Sequence, residues 1–393
     1  IGLGALGLED SGLNNVAIGY LALRVLTGGY NSNVAIGYRA GYECTGASNN
    51  TFIGSDCGRE LLTEANNVAI GAGAMSACDT GTGNVVIGQN AMNAAAADVN
   101  YAVVIGNSAC QGSIANAAAG TVAVGANAFY ELTSGANGVA VGLEAGMKIA
   151  TGDNNTCLGN VAGKKLGHAD ADNNVFVGYG AGAGGDDATS GVNNSAANNV
   201  GIGTLALGAT SDHTADGTAF TATDNVAVGA LAGQQITSGA DNVFIGSNSG
   251  VWVNEGDSNT FIGRQSGLGA DGQELTGDKN TAVGRGSGQL LQVAAHENTF
   301  VGAYSGDVLT TGSDNICIGY GADVSASGGT LQTALGYAAL PHQDRETVIG
   351  NKSLFRFVSK QYDCAIADDE DGKSASVDAT PIRLPAGAII KSI

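Results

Sequence analysis

A six-residue phrase recurs along this chain at nearly constant spacing. It reads Asn14-Asn15-Val16-Ala17-Ile18-Gly19, then Asn49-Asn50-Thr51-Phe52-Ile53-Gly54, Asn66-Asn67-Val68-Ala69-Ile70-Gly71 and Asp241-Asn242-Val243-Phe244-Ile245-Gly246. Its closing glycines run from Gly2 to Gly350, most often 17 residues apart and otherwise mainly 18 or 19. Longer steps occur from Gly178 to Gly203, Gly203 to Gly229 and Gly263 to Gly284. A fixed short period with insertions confined to a few places is the signature of a solenoid, in which each coil leans on its neighbours. The expected fold is therefore all-β: a parallel β-solenoid of about 17 residues per coil, at roughly 4.8 Å of rise each.

The positions of the phrase differ in kind. The residue before the glycine is Ile, Val or Leu, and the one three before it is Val, Thr or Ile. Such β-branched alternation predicts a short strand. Four before the glycine stands Asn in most repeats, a residue suited to turns and to stacking on its copies in the next coil. Three after the glycine stands only Ala, Ser or Cys, as where two backbones come close.

The middle of the strand is never polar. It holds Ala17, Ala35, Phe52, Ala69, Val86, Val104, Phe176, Phe244, Phe261 and Phe300, among others. If Val16 and Ile18 fill the coil, this middle residue points the other way, because side chains alternate across a strand. It would then form an outward apolar stripe needing a partner surface. The simplest partner is the same stripe on another copy, so these ten residues are the candidate interface of a homo-oligomer wound about a common axis. The alternative is a wider coil that buries both faces within one chain.

Composition narrows the function. The net charge is −20 and the 16 basic residues do not cluster, which disfavours nucleic acid and anionic membrane surfaces as partners. No apolar run has the length of a membrane helix. Seven cysteines contain no Cys-x-x-Cys, and Cys57, Cys157 and Cys317 stand where other repeats have small or apolar residues; they are expected as free buried thiols. The histidines are scattered and no nucleophile elbow occurs, so neither catalysis nor a cofactor or metal is expected. Gly159-Asn160-Val161-Ala162-Gly163-Lys164-Lys165 is one residue too short between its glycines for a phosphate loop.

Two insertions carry the remaining candidates. One contains Asp186, Asp187 and Asn193, the other His213, Asp216 and Phe220. They read either as loops that contact a receptor or bind Ca²⁺, though their Asp spacing matches no calcium-loop pattern, or as tolerated surface decoration. Residues 1–350 are expected to form the solenoid shaft. Its repeat starts in mid-phrase at Ile1-Gly2, as if the shaft began earlier. All three prolines follow residue 340, so none interrupts the preceding ladder. Residues 351–393, with a strand near 352–361, the acidic run Asp368-Asp369-Glu370-Asp371 and the apolar segment Pro381 to Ile390, read as a transition into a further domain.

The unit Asn15-Val16-Ala17-Ile18-Gly19 resembles the repeat of trimeric autotransporter adhesin heads, and the resemblance extends from Gly2 to Gly350. It implies a left-handed parallel β-roll and a homotrimer; the period here is longer than that family's usual coil. The variant Asn49-Asn50-Thr51-Phe52-Ile53-Gly54, the exit Glu346-Thr347-Val348-Ile349-Gly350-Asn351 and the segment from Pro381 are more similar to bacteriophage tail fibres. That similarity implies a virion attachment fibre, not an enzyme, with other virion proteins and a host receptor or glycan as partners. A bacterial surface adhesin and a polysaccharide-degrading tailspike are the alternatives.

Overall fold

A computed structural model of the chain describes residues 1–8, 12–26, 29, 31–62, 65–78, 81–94, 99–112, 118–167, 171–184, 195–208, 220–270, 273–350 and 357–360. By contact density the chain divides into Ile1–Ser359 and Lys360–Ile393. The first unit is a parallel β-solenoid. Its strands run from β1 (Val16–Ile18) to β18 (Thr333–Leu335), three residues each, followed by β19 (Glu346–Ile349) and β20 (Phe357–Lys360). From β1 to β19 every strand pairs in parallel with the next, and equivalent residues face each other without slippage: Val16 with Val34, Ala17 with Ala35, Ile18 with Ile36. Identical phrases at near-identical spacing leave the register no competing solution.

The closing glycine makes the first corner. From Gly19 to Gly319 its φ lies between 130° and 146°. A β-carbon there would lie 2.2–2.6 Å from the carbonyl oxygen of the next closing glycine, as at Gly19 over Gly37 and Gly246 over Gly263. Only glycine fits this column. Beyond it the ladder continues through backbone of alternating hand. Leu21 (φ 56) donates to Leu3 in the preceding coil at 3.0 Å, whereas Leu23 (φ 45) donates to Ala40 in the following coil at 3.0 Å. Gly19 and Leu21 donate to the preceding coil and Leu23 and Val25 to the following one, so the turn side is hydrogen-bonded to both neighbours, as the strand is.

The second corner is closed by asparagine. From Asn33 to Asn315, including Asn50, Asn67, Asn174, Asn199, Asn225 and Asn242, the asparagines of this column are fully buried. Each Oδ1 accepts the backbone N–H of its counterpart in the next coil, as Asn199 does from Asn225 at 3.1 Å and Asn225 from Asn242 at 3.0 Å. Nδ2 donates to a carbonyl of the next coil, three residues before the next ladder asparagine: Asn199 to Ala222 at 2.8 Å, Asn242 to Gly256 at 2.8 Å. The stacking expected from the sequence is present. The left-handed turn residue, however, is the one before the ladder asparagine, such as Asn14, Asn49 and Asn66. The column departs from asparagine at Ala102, Thr121 and Gly138, and again at Gln332 and Glu346 at its end. At Gly138 the Phe129 ring leaves no room: a β-carbon would lie 2.8 Å from its Cζ.

The expected facing of the strands is reversed. Ala17, Ala35, Phe52, Ala69, Val86, Val104, Phe176, Phe244, Phe261 and Phe300 lie inside the coil; Ala17 is 6% exposed and the others at most 1%. They are core, not interface. The reason is the narrowness of the coil. A three-residue strand sends one side chain inward, and that residue shares the interior with the fourth residue after the closing glycine. The two trade volume. Wherever the strand centre is Phe, at 52, 176, 244, 261 and 300, its partner is Gly58, Gly182, Gly250, Gly267 or Gly306. A β-carbon at any of these would lie 2.2–2.5 Å from the Phe ring. Where the centre is Ala, Val or Gly, the partner can be large: Ala17 with Leu23, Ala69 with Met75, Ala123 with Phe129, Gly201 with Leu207. The two side chains that flank each centre point out, because side chains alternate along a strand and three residues leave only the middle one facing in.

A candidate association surface

The outward face of the sheet is two columns of side chains, one on each side of the strand centres. Val16, Val34, Thr51, Val68 and Val85 begin one column; Ile18, Ile36, Ile53, Ile70 and Ile87 begin the other. From β1 to β19 both columns contain only Val, Ile, Leu and Thr. Exposure reaches 43% at Val16, 42% at Ile318 and 48% at Ile349, and many members are half-buried by their neighbours one coil away. Side chains about 4.8 Å apart along a column shield one another edgewise but leave their tips bare. Nineteen strands at that spacing make a stripe roughly 85 Å long.

Tyrosines border the stripe. Tyr20, Tyr38, Tyr179, Tyr320 and Tyr337 follow closing glycines and are exposed. Tyr20 stacks on Tyr38 with centroids 5.5 Å apart, and Tyr320 on Tyr337 at 5.7 Å. An exposed, uncharged, apolar stripe of this length on a chain of net charge −20 is the most conspicuous surface feature of the solenoid. The apolar surface available for self-association is thus the other face of the same strands. Two signals in the sequence point to that face: glycine trading with a bulky residue in step with the strand centre, and strand-centre size varying from Gly to Phe while the flanks stay uniform. Volume trading within a repeat is what core positions do.

The loop candidates fare differently. Asp186, Asp187, Asn193, His213 and Asp216 lie outside the described residues. Phe220 is 1% exposed and belongs to the core cluster, so it is not a surface contact. Small buried slots behave as expected: Ala22, Ala40 and Cys57 are inaccessible, and Ser249, Ser266 and Ser305 each donate Oγ–H to a strand-centre carbonyl, Ser305 to Cys317 at 2.6 Å. The six described cysteines form no disulfide and are buried. Burial pushes the thiols of Cys44, Cys57, Cys110 and Cys157 up to about 12, which leaves them protonated and unreactive. Among the described residues no group of three His, Cys, Asp or Glu could hold a metal, and no helix is long and apolar enough to cross a membrane.

Asp323 brings a charge-bearing group into the core. Asp323 occupies the volume-trading slot of its coil, opposite Cys317, and is 9% exposed. Burial, with a smaller contribution from the neighbouring Asp307 carboxyl, raises its pKa to about 7, while the Val324 N–H partly opposes the shift by donating to Oδ1 at 2.8 Å. A carboxyl raised in the folded state favours folding in its protonated form. That contribution is complete below the ordinary carboxylate range and is lost as pH rises through about 7. The urea midpoint of the coils around 319–336 is expected to fall between pH 5 and pH 8. Asp323→Asn is expected to flatten that dependence, and an unchanged slope in the variant would refute the assignment.

The sequence matches no protein-family model and no curated protein.

Proposed function

We propose that this chain is the shaft of a homotrimeric attachment fibre, most simply a bacteriophage tail fibre that carries its contact elements to a host cell surface. The observation that carries this reading is the uncharged double column of Val, Ile and Thr. A strip roughly 85 Å long and about 10 Å wide offers on the order of 800 Å² per copy, the amount a stable protein interface takes from each partner. Each copy would turn its stripe toward a shared axis, and the acidic remainder of the coil would keep the rod soluble. The function is then mechanical. Inter-coil hydrogen bonds and the asparagine ladder make a stiff spacer, and loops or an adjoining domain make contact with receptor or glycan. The phrase shared with autotransporter heads favours a second reading, a bacterial surface adhesin built on the same roll.

Ile245→Asp with Ile262→Asp places charges on the stripe without touching the core. The variant is expected to keep its circular dichroism and sediment as a single chain, while the unaltered protein sediments as a trimer. Equal masses for the two proteins would remove the basis of the proposal. Incubation with host surface polysaccharide separates attachment from degradation: binding without released sugar supports the fibre, and released sugar supports the degrading spike.

A further inference from the structure

The two borders of the apolar stripe are charged differently. β12 (Val226–Val228), β13 (Val243–Ile245), β14 (Thr260–Ile262), β15 (Thr281–Val283) and β16 (Thr299–Val301) are consecutive in the stack. On the border before the strands stand Asp224 on the β12 coil and Asp241 on the β13 coil, both exposed. On the border after the closing glycines stand Arg264 on the β14 coil and Arg285 on the β15 coil, also exposed. Lys279 on the acidic border is neutralised within the chain by Glu297 at 3.1 Å. Across all repeats, no acidic residue follows a closing glycine.

Symmetry decides which borders can meet. If copies share an axis parallel to the rod and run in the same direction, the border after the strands of one copy abuts the border before the strands of the next. If they run in opposite directions, like borders meet and Arg faces Arg. We infer that Arg264 and Arg285 of one copy engage Asp224 and Asp241 of the adjacent copy, and that these rim charges fix copies parallel and set their axial stagger. The inference rests on the self-association proposed above. Acids and bases lie one to three coils apart along the stack, at about 5 Å per coil, within the combined reach of long guanidinium side chains and a small stagger. Rim pairs of this kind add little raw affinity but discriminate strongly against like-charge arrangements.

The test is a charge swap. The quadruple variant Arg264→Glu, Arg285→Glu, Asp224→Arg, Asp241→Arg restores complementarity with itself in a parallel assembly but clashes with the unaltered chain. Mass-labelled wild type and variant are unfolded, mixed, refolded together and weighed by native mass spectrometry at low salt. Parallel rim pairing predicts segregation, with mixed assemblies depleted at least about threefold from random proportions and the depletion lost at high salt. Should the quadruple variant not assemble alone, Arg264→Glu/Arg285→Glu chains are mixed with Asp224→Arg/Asp241→Arg chains; here mixed assemblies are expected to be enriched. Random proportions in that pairing, or random or enriched mixing of wild type with the quadruple variant, would overturn the inference while leaving self-association intact. Wild type that sediments as a single chain overturns both.

Discussion

Gly71→Ala is expected to unfold the coils around β4 (Val68–Ile70). The glycine sits at φ 136°, and a β-carbon there would lie 2.5 Å from the Gly88 carbonyl oxygen. Neither partner can yield, because both are backbone held by inter-coil hydrogen bonds: Gly71 donates to Ile53 and Gly88 to Ile70, both at 2.8 Å. Strained φ alone costs about 1–3 kcal/mol, and with the backbone collision the expected loss is about 4 kcal/mol or more. Stability in a stacked array is local, so proteolysis should begin near residue 71 before distant coils are cut. Gly328→Ala is the control. Its nearest neighbour to a new β-carbon is Thr311 Oγ1 at 3.7 Å, so the change should stay within about 0.5 kcal/mol in urea denaturation. Equal losses at the two sites would contradict the corner geometry.

The second large effect is a core exchange. Phe244→Ala is expected to cost about 3–5 kcal/mol, since a fully buried ring is lost beside Phe261, whose centroid is 5.8 Å away. Gly250→Leu alone should be as damaging, because a β-carbon there would lie 2.4 Å from the Phe244 ring. Together they reproduce the arrangement of Ala17 with Leu23, in which leucine occupies the same left-handed backbone at φ 45°. The double variant should recover most of the loss, a coupling of about 2 kcal/mol or more read from a double-mutant cycle. Additive losses would mean that the two positions do not share one volume.

Period, strand position and parallel stacking were legible in the sequence because each repeat votes for them again. The closing glycines predicted a sharp corner, and the structure adds its cause, the carbonyl of the next coil. The buried asparagine ladder was equally visible in the run Asn33, Asn50, Asn67, Asn84. The facing of the strands was not. Val and Ile are larger than Ala, and the habit of placing larger apolar residues inside is sound for wide cores. It fails where a strand of three residues turns only its centre inward, so that the two flanking side chains point out whatever their size. Leu21, Leu23, Met75 and Phe129 at positive φ were also hidden, since their intrinsic preference opposes that backbone. The clue lay in other repeats, where Gly41, Gly73 and Gly180 occupy the equivalent slots. Asp323 escaped notice because an aspartate near a turn reads as solvated until its coil is seen to bury it.

The candidate surface lies one residue along each strand from the position expected in the sequence. An apolar stripe that no segment of the described chain covers still asks for a partner, and it is now formed by Val16, Ile18, Ile245 and Ile318 instead of Ala17, Phe52 and Phe244.

A cross-section of the assembled protein by electron cryomicroscopy tests this most directly. The account predicts three coils around one axis, with the Val and Ile columns meeting at the centre and each Phe244 ring enclosed in its own coil. A lone coil with Ile18, Ile245 and Ile318 in contact with solvent would contradict it.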